Sequence, residues 1–579
     1  MKKIFLVLSL LLIIFNFSSG QNFTHADTLR GSNGPGRAWW NATKYDLHVN
    51  FHISDSSISG YNAISYKVTD KHHPEFFQID LQEPLAIDSV LLETGSINFE
   101  LNKEKLDYTR QGNAWFIYLN KTQNEISKPD PLIIRKAKNL VSVDSKKQNL
   151  TPEISKLIVY YHGRPRIAKK APWDGGLVWT KDKAGNPWVA VACQGLGASV
   201  WYPCKDYQGD EPDSAEMHFT APSDLVIISN GRLRDKKDNG NGKSVYTWAV
   251  VNPINNYDIS PYIGKYVHWG EIYKGEKGNL TMDYWVIDSN LTKAKEQFKE
   301  APRMMKAFEY WFGPYPFYED GYKLVEAPYL GMEHQSAVAY GNGFKNGYRG
   351  SDLSGSGWGL KWDFIIVHES GHEWFGNNIT SKEIADMWIH EGFTNYSETL
   401  FTEYYFGKKA ATDYIVGIRK NIRNDKPIIG YYGVNNEGSG DMYYKAANMI
   451  HTIRQIINND EKFRQILRGL NKTFYHQTVT SKQIEDYINK QSGIDFSKVF
   501  DQYLRTTKIP ELEYKSTNGK LFYRWNNCVS SFKMPVKIYN DNKKLIFIYP
   551  TSEFKLAPSG IKKMKIDENF YVYLKEIKD

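Results

Sequence analysis

The sequence predicts a multidomain α+β protein, with a β-rich N-terminal half, a mostly helical middle and a small β tail. Three observations predict it. The chain has 579 residues, more than one hydrophobic core usually serves. Apolar residues alternate with polar ones through the first half and change to helical spacing near Leu291. Strand patterns return after Pro510. The segments read as 1–20 leader, 21–265 β-rich domain, 266–508 helical domain and 509–579 small β-sandwich.

The leader is MKKIFLVLSLLLIIFNFSSG, with a charged start at Lys2 and Lys3, an apolar run from Ile4 to Phe15 and small residues at Ser18, Ser19 and Gly20. This is the pattern of a secretory signal cleaved near Gly20, so the expected protein is exported, periplasmic or secreted. The apolar run is short for a membrane span, and no later stretch is apolar enough to cross a bilayer. In the β-rich half, YDLHVNFHI puts Tyr45, Leu47, Val49, Phe51 and Ile53 on one face of a strand. His48, Asn50 and His52 take the other face, which reads as solvated rather than metal-binding.

In the middle, LTKAKEQFKEAPRMMKAFEYWFG has helical period and stops at Gly313-Pro314. The Gly-rich run from Tyr340 to Gly359 reads as a mobile loop and lacks the strand and Lys-Ser/Thr context of a phosphate loop. DMYYKAANMIHTIRQII and SKQIEDYINKQSG continue the helical pattern, and KLFYRW, KLIFIYP and ENFYVYLKEI supply the tail strands. The net charge of +8 comes without a dense Lys/Arg block, so a nucleic-acid partner is not expected. Cys193, Cys204 and Cys528 allow one disulfide of unknown pairing, and without a Cys-x-x-Cys they argue against a thiolate metal site.

The chemistry centres on VHESGHEWFG, Val367 to Gly376. On a helix, His368 and His372 lie one turn apart on one face, and Glu369 projects beside them. Two imidazoles can then share one zinc ion while Glu369 takes a proton from the attacking water. A catalytic zinc takes a third protein ligand and leaves a place open. Glu391, separated from His372 by eighteen residues and starting an amphipathic helix, can supply it. His390 competes for that role. Asp386 is either an acceptor orienting a ligand imidazole or a solvated carboxylate at the start of the helix.

His-Glu-x-x-His, eighteen residues and then Glu391 in Trp-x-x-Glu-Gly-Phe resembles the zinc aminopeptidases of the aminopeptidase N and leukotriene hydrolase family. The resemblance runs from about residue 40 to the tail. YLGMEHQSAVAYG is similar to that family's Gly-x-Met-Glu-Asn exopeptidase motif. It implies that Glu333 binds the free α-amine of the substrate with Gly331 and Met332 beside it, although His334 stands where Asn is usual. MYYKAANMI resembles the Tyr-x-Lys-Gly-Ala segment and points to Tyr443 as the oxyanion-binding phenol, with Tyr444 as its competitor and Ala446 in place of the usual Gly. ACQGLGASVWYPCKD resembles the segment lining the first subsite and makes Gln194 a second contact for the amine.

The implied fold is a saddle-like β-domain, a thermolysin-like catalytic domain and a small β-domain. The family's large C-terminal helical domain is expected to be absent. The implied activity is removal of N-terminal residues from peptides with a free amine, using one zinc per chain. The alternatives are a metalloendopeptidase, an epoxide-opening hydrolase and a non-catalytic relative. Glu333 speaks against the first and the intact motif against the last.

Overall fold

The computed structural model describes residues 23–95, 101–119 and 154–578, so the leader lies outside the described residues. The β-rich half is a ten-stranded sheet backed by a four-stranded one. At the middle of the large sheet, Trp40–His52 pairs antiparallel with Ser57–Val68 on one side and parallel with Ser214–Pro222 on the other. The two-residue period predicted for the first strand is realised. Tyr45, Leu47, Val49 and Phe51 are buried, and Asp46, His48 and Asn50 are half-buried on the outer face. The inner faces of both sheets enclose one core, to which Trp40, Leu47, Val191, Trp201, Phe219 and Ile263 belong.

The second half opens with a five-stranded mixed sheet, beginning with the hairpin Tyr266–Gly275 and Gly278–Ile287 and ending on the short edge strand Gly331–Met332. That edge strand pairs with Val338–Tyr340 and carries the 331–333 segment to the motif helix. The helical run from Leu291 is two helices, Leu291–Gln297 and Glu300–Phe312, because Pro302 has no N–H to continue the ladder to the Phe298 carbonyl. Gly313 stops the second helix at a φ of 95°, a conformation open to glycine.

The Gly-rich run, expected as a mobile loop, is instead tied down. Asn342 Nδ2 donates to the Lys345 and Gly347 carbonyls and to Asp363 Oδ1, and Asp352 accepts from the Ser354 and Gly357 amides.

The tail forms a four-stranded sheet and a two-stranded ribbon, Val536–Tyr539 with Leu545–Ile548. Its Trp525, Met534, Val536 and Ile548 join the same buried cluster as Ile456, Phe500 and Leu504 of the helical domain, so tail and helical domain share one core. Among the described residues no disulfide forms. Cys193 and Cys204 are buried and Cys528 half-buried as free thiols, and burial pushes the first two well above the ordinary thiol range. No described helix is long and apolar enough to cross a membrane.

Candidate metal and peptide site

Three helices build the site. The motif helix, Phe364–Gly371, is capped by Asp363, whose carboxylate accepts from the Ile365 and Ile366 amides at 3.0 and 3.3 Å. The sequence pattern runs this helix to Gly376. It ends at Gly371 instead, with His372 as its cap and a turn closed by the Gly376 amide on the Ile379 carbonyl. The second helix, Trp388–Phe406, crosses close by. A Cβ on Gly371 would stand 2.8 Å from Ser397 Oγ, so glycine is what allows the approach. This helix is buried from Trp388 through Thr402 and is therefore not the amphipathic helix expected. The third helix, Tyr444–Ile457, packs on the second where Gly392 faces Ala446, and a Cβ on Gly392 would meet that of Ala446 at 2.7 Å. Ala446 can replace glycine in its motif because Gly392 gives up the space.

These helices bring His368, His372 and Glu391 together, with their donor atoms within 4.8 Å of one another. Glu391 Oε2 lies 3.5 Å from His368 Nε2 and 3.4 Å from His372 Nε2. That oxygen is buried and makes no hydrogen bond. A buried, unpartnered carboxylate oxygen between two imidazole nitrogens is costly unless a cation completes it. Two imidazoles and one carboxylate form a zinc-type donor set. Burial alone would raise the Glu391 carboxyl, but His372 and His368 hold it below its ordinary range.

The far side of each imidazole is also fixed. His368 Nδ1 is 2.7 Å from Glu398 Oε1, and Glu398 also accepts from Asn395 Nδ2 and Tyr414 OH. His372 Nδ1 is 3.0 Å from the Phe375 carbonyl and 3.2 Å from Thr394 Oγ1. Such contacts leave each Nε2 as the free donor.

Two sequence alternatives are corrected here. His390 is not a ligand, because its Nε2 accepts from the Ser381 amide at 2.8 Å and burial pushes its imidazole down to about 3. Asp386 orients no imidazole, because it holds Ser481 and the Tyr432 hydroxyl instead. Glu398 fills the orienting role. It follows Glu391 by two helical turns on the same face, a spacing that could have revealed it.

Glu369 keeps some solvent exposure beside the triad. Burial raises its carboxyl to about 7, against the lowering effect of His368. Gly331 lies directly over it. A Cβ there would be 2.8 Å from Glu369 Oε1. Met332 packs into the N-terminal core, so the side chains of Gly331 and Met332 offer no polar contact to a substrate.

Glu333 is buried, and a donor atom of Glu333 lies within 4.8 Å of Glu369 and His372. Its Oε1 accepts from Gln194 Nε2 and, at 3.2 Å, from the Tyr257 hydroxyl. Burial raises the Glu333 carboxyl, with His372 acting against and Glu391 with that rise. Tyr257 was not singled out by the sequence, since nothing local marks that aromatic among many. His334 turns away from the cleft, with Nδ1 2.6 Å from the Tyr262 hydroxyl, and burial pushes its imidazole down to about 3.

Tyr443 immediately precedes the third helix, and its ring is near-parallel to that of His368, at 6.1 Å and 22°. Burial first, and then Glu391, raise its phenol well above the ordinary range. Tyr444 makes no such stack with a ligand. A further wall comes from the start of the described chain. Helix His25–Gly31 bridges the halves, with Arg30 donating to the Gly195 carbonyl at 2.7 Å and the Asn435 amide to the Asp27 carbonyl at 3.3 Å.

Residues 298–503 match the description "Peptidase family M1 domain". The matched residues lie within the helical half. The matched stretch contains the motif helix, Glu391, Glu333 and Tyr443. The chain is 20% identical over 420 residues to "Probable aminopeptidase 2" of Sulfurisphaera tokodaii, covering 69% of this chain and 51% of that protein. It is 21% identical over 344 residues to "Leukotriene A-4 hydrolase" of Xenopus laevis, covering 55% and 52%. The chain thus spans about half the length of these curated relatives. An M1 zinc metallopeptidase of Deinococcus radiodurans, solved with a Tyr-Ser-Ala substrate, shares the fold with a TM-score of 0.64 at 17% identity, over 82% of this chain and 96% of that one. The likeness covers the β-rich N-terminal domain, the helical catalytic domain and the small β tail as a multidomain α+β architecture.

Proposed function

We propose that this protein is an exported zinc aminopeptidase that removes N-terminal residues from peptides with a free α-amine. His368, His372 and Glu391 would hold one zinc, with Glu398, Phe375 and Thr394 orienting the imidazoles. A zinc held there supplies Lewis-acid polarisation of the scissile carbonyl and lowers the pKa of water toward about 7. Glu369, with a carboxyl near 7, takes a proton from the attacking water and returns it to the leaving amine. Tyr443 keeps its phenolic proton at any working pH and can donate it in a hydrogen bond to the oxyanion. Export rests on the leader pattern of residues 1–20 alone.

The observation that carries the exopeptidase reading is Glu333. It is a buried carboxylate next to the metal triad, oriented by Gln194 and Tyr257. A carboxylate facing an α-ammonium makes a charge-assisted hydrogen bond, stronger than a neutral one. Acetylating the peptide removes the cation and adds bulk where it would sit. Mass spectrometry of digests tests this. Single residues should leave free peptides, and N-acetylated versions should stay intact. Internal cuts at similar rates in both would refute the aminopeptidase reading while leaving the metal centre standing.

A further inference from the structure

Away from the helical domain, the outer face of the large N-terminal sheet carries a second convergence of ligand groups. The parallel pairing of Trp40–His52 with Ser214–Pro222 sets His48 opposite His218 and Asp46 opposite Glu216. The antiparallel neighbours place Tyr61 beside His48 and Thr247 beside His218, in one row across four strands. In the adjacent row Ala63 flanks Asp46 and Ala249 flanks Glu216, so small side chains leave the carboxylates room. No segment of sequence shows this array, because positions 46–48 and 216–218 meet only through the sheet register.

The donor atoms of Asp46, His48 and His218 lie within 4.8 Å of one another, as do those of the catalytic triad. Asp46 Oδ1 is 2.9 Å from His48 Nε2 and 3.3 Å from His218 Nε2. Glu216 Oε1 is 3.3 Å from His218 Nε2, and its other oxygen is paired with Lys44. A tetrahedral ion with ligand bonds of about 2.0–2.1 Å holds its donors about 3.3 Å apart. Asp46 Oδ1 therefore already stands at close to that spacing from both imidazole Nε2 atoms.

Its far side is organised too. His218 Nδ1 is 3.0 Å from Thr247 Oγ1, which aims Nε2 at the carboxylates. The His48 ring stacks between Tyr61 and His218, with centroids at 4.3 and 4.0 Å and planes within 17° and 12°, so one imidazole must turn out of the stack for both Nε2 atoms to face one ion. Burial would raise the Asp46 carboxyl, but hydrogen bonds from His218 and His48 keep it below its ordinary range, so it is a ready anionic ligand. The groups are 21–32% exposed, open enough for water to complete a coordination sphere.

We infer that Asp46, His48 and His218, flanked by Glu216, form a second binding site, for a divalent transition-metal ion of the zinc, nickel or copper class. Imidazole with carboxylate suits these ions rather than calcium or magnesium. Binding displaces the protons that the imidazoles share with Asp46 and converts three hydrogen-bonded partners into ligands of one ion. Because residues 46–48 and 218 lie on different strands, the ion would staple the central parallel pair of the sheet.

The test uses zinc titration by calorimetry with elemental analysis, starting from chelator-treated full-length protein. Wild type should bind two equivalents. The His368→Ala/Glu391→Ala protein should keep one, and its thermal midpoint should rise with zinc. Adding His48→Ala and His218→Ala should remove both the binding and the shift. In an otherwise intact chain those two changes should lower stoichiometry from two to one and leave peptide turnover unchanged. Asp46→Asn is the conservative second variant and should weaken the same equivalent, with circular dichroism confirming the fold. If wild type and the His48→Ala/His218→Ala protein bind equal zinc, or if the equivalent retained by His368→Ala/Glu391→Ala survives loss of His48 and His218, the site does not exist. Failure of the catalytic centre would instead appear as no difference between wild type and His368→Ala/Glu391→Ala.

Discussion

Replacing Gly331 with alanine tests whether the edge strand exists to make room for Glu369. Gly331 does not have a positive φ, so alanine meets no backbone penalty there. Space is the obstacle. Its Cβ would sit 2.8 Å from Glu369 Oε1, 2.8 Å from Ile365 Cγ2 and 3.0 Å from Glu369 Cγ. Ordinary contact for a Cβ begins at 3.4 Å. Something must therefore retreat by about 0.6 Å, a gap that matters on the steep repulsive wall. Ile365 belongs to the motif helix and is fully packed, which leaves the half-exposed Glu369 carboxylate as the softest neighbour. A misplacement of about 1 Å can cost about a hundredfold in rate. The expected loss for Gly331→Ala is therefore about ten- to a hundredfold in kcat, or about 1.4–2.7 kcal/mol. KM should change little and zinc content not at all, because Glu369 is not a ligand. Turnover of aminoacyl-coumarin substrates with parallel elemental analysis would measure both. A kcat within twofold of wild type would show that Ile365 or the strand absorbs the methyl group. Loss of zinc would show that the change reaches the triad, and either result refutes the reasoning.

Three further outcomes are expected. Tyr443→Phe should lower kcat about a hundred- to a thousandfold with a small effect on KM, as loss of an oxyanion donor does; Tyr444→Phe should be much milder, and a reversal of severity would move the role by one residue. Glu398→Gln should weaken zinc about ten- to a hundredfold, because His368 loses its charged partner; competition with a graded chelator measures it, and unchanged affinity would remove Glu398 from the centre. Glu391→Ala should lose zinc, whereas Glu369→Gln should keep it and lose turnover; elemental analysis and kinetics on the same preparations separate ligand from base.

The order of the domains and the zinc-type triad were legible because both are local or nearly so. A two-residue period marks Trp40–His52, and one helical turn joins His368 to His372. Glu391 was within reach because only a turn, the short strand Ile379–Ser381 and the single turn Ile384–Asp386 separate His372 from the helix that carries it. What escaped is what folding brings from afar. Tyr257 meets Glu333 across 76 residues of chain, and His218 meets His48 through a parallel register that no local pattern encodes. The burial of Trp388–Phe406 was misread because polar side chains along it resembled a solvated face. They serve instead as partners within the core, as Thr394 does for His372 and Glu398 for His368.

That burial explains how a charged centre can sit in the helical domain without disrupting it. Glu391, Thr394 and Glu398 lie three and four residues apart along one face, so a single helix presents one member of the triad and two of the three groups that hold the imidazoles. The face needs close neighbours to exclude water, and two glycines provide them. Gly371 lets the motif helix approach Ser397, and Gly392 lets the third helix approach through Ala446. Widening the Gly371 contact with a methyl group would move Glu391 away from the imidazoles together with Thr394 and Glu398, because one helix carries all three. The close packing around the triad is therefore set by two positions that have no side chain.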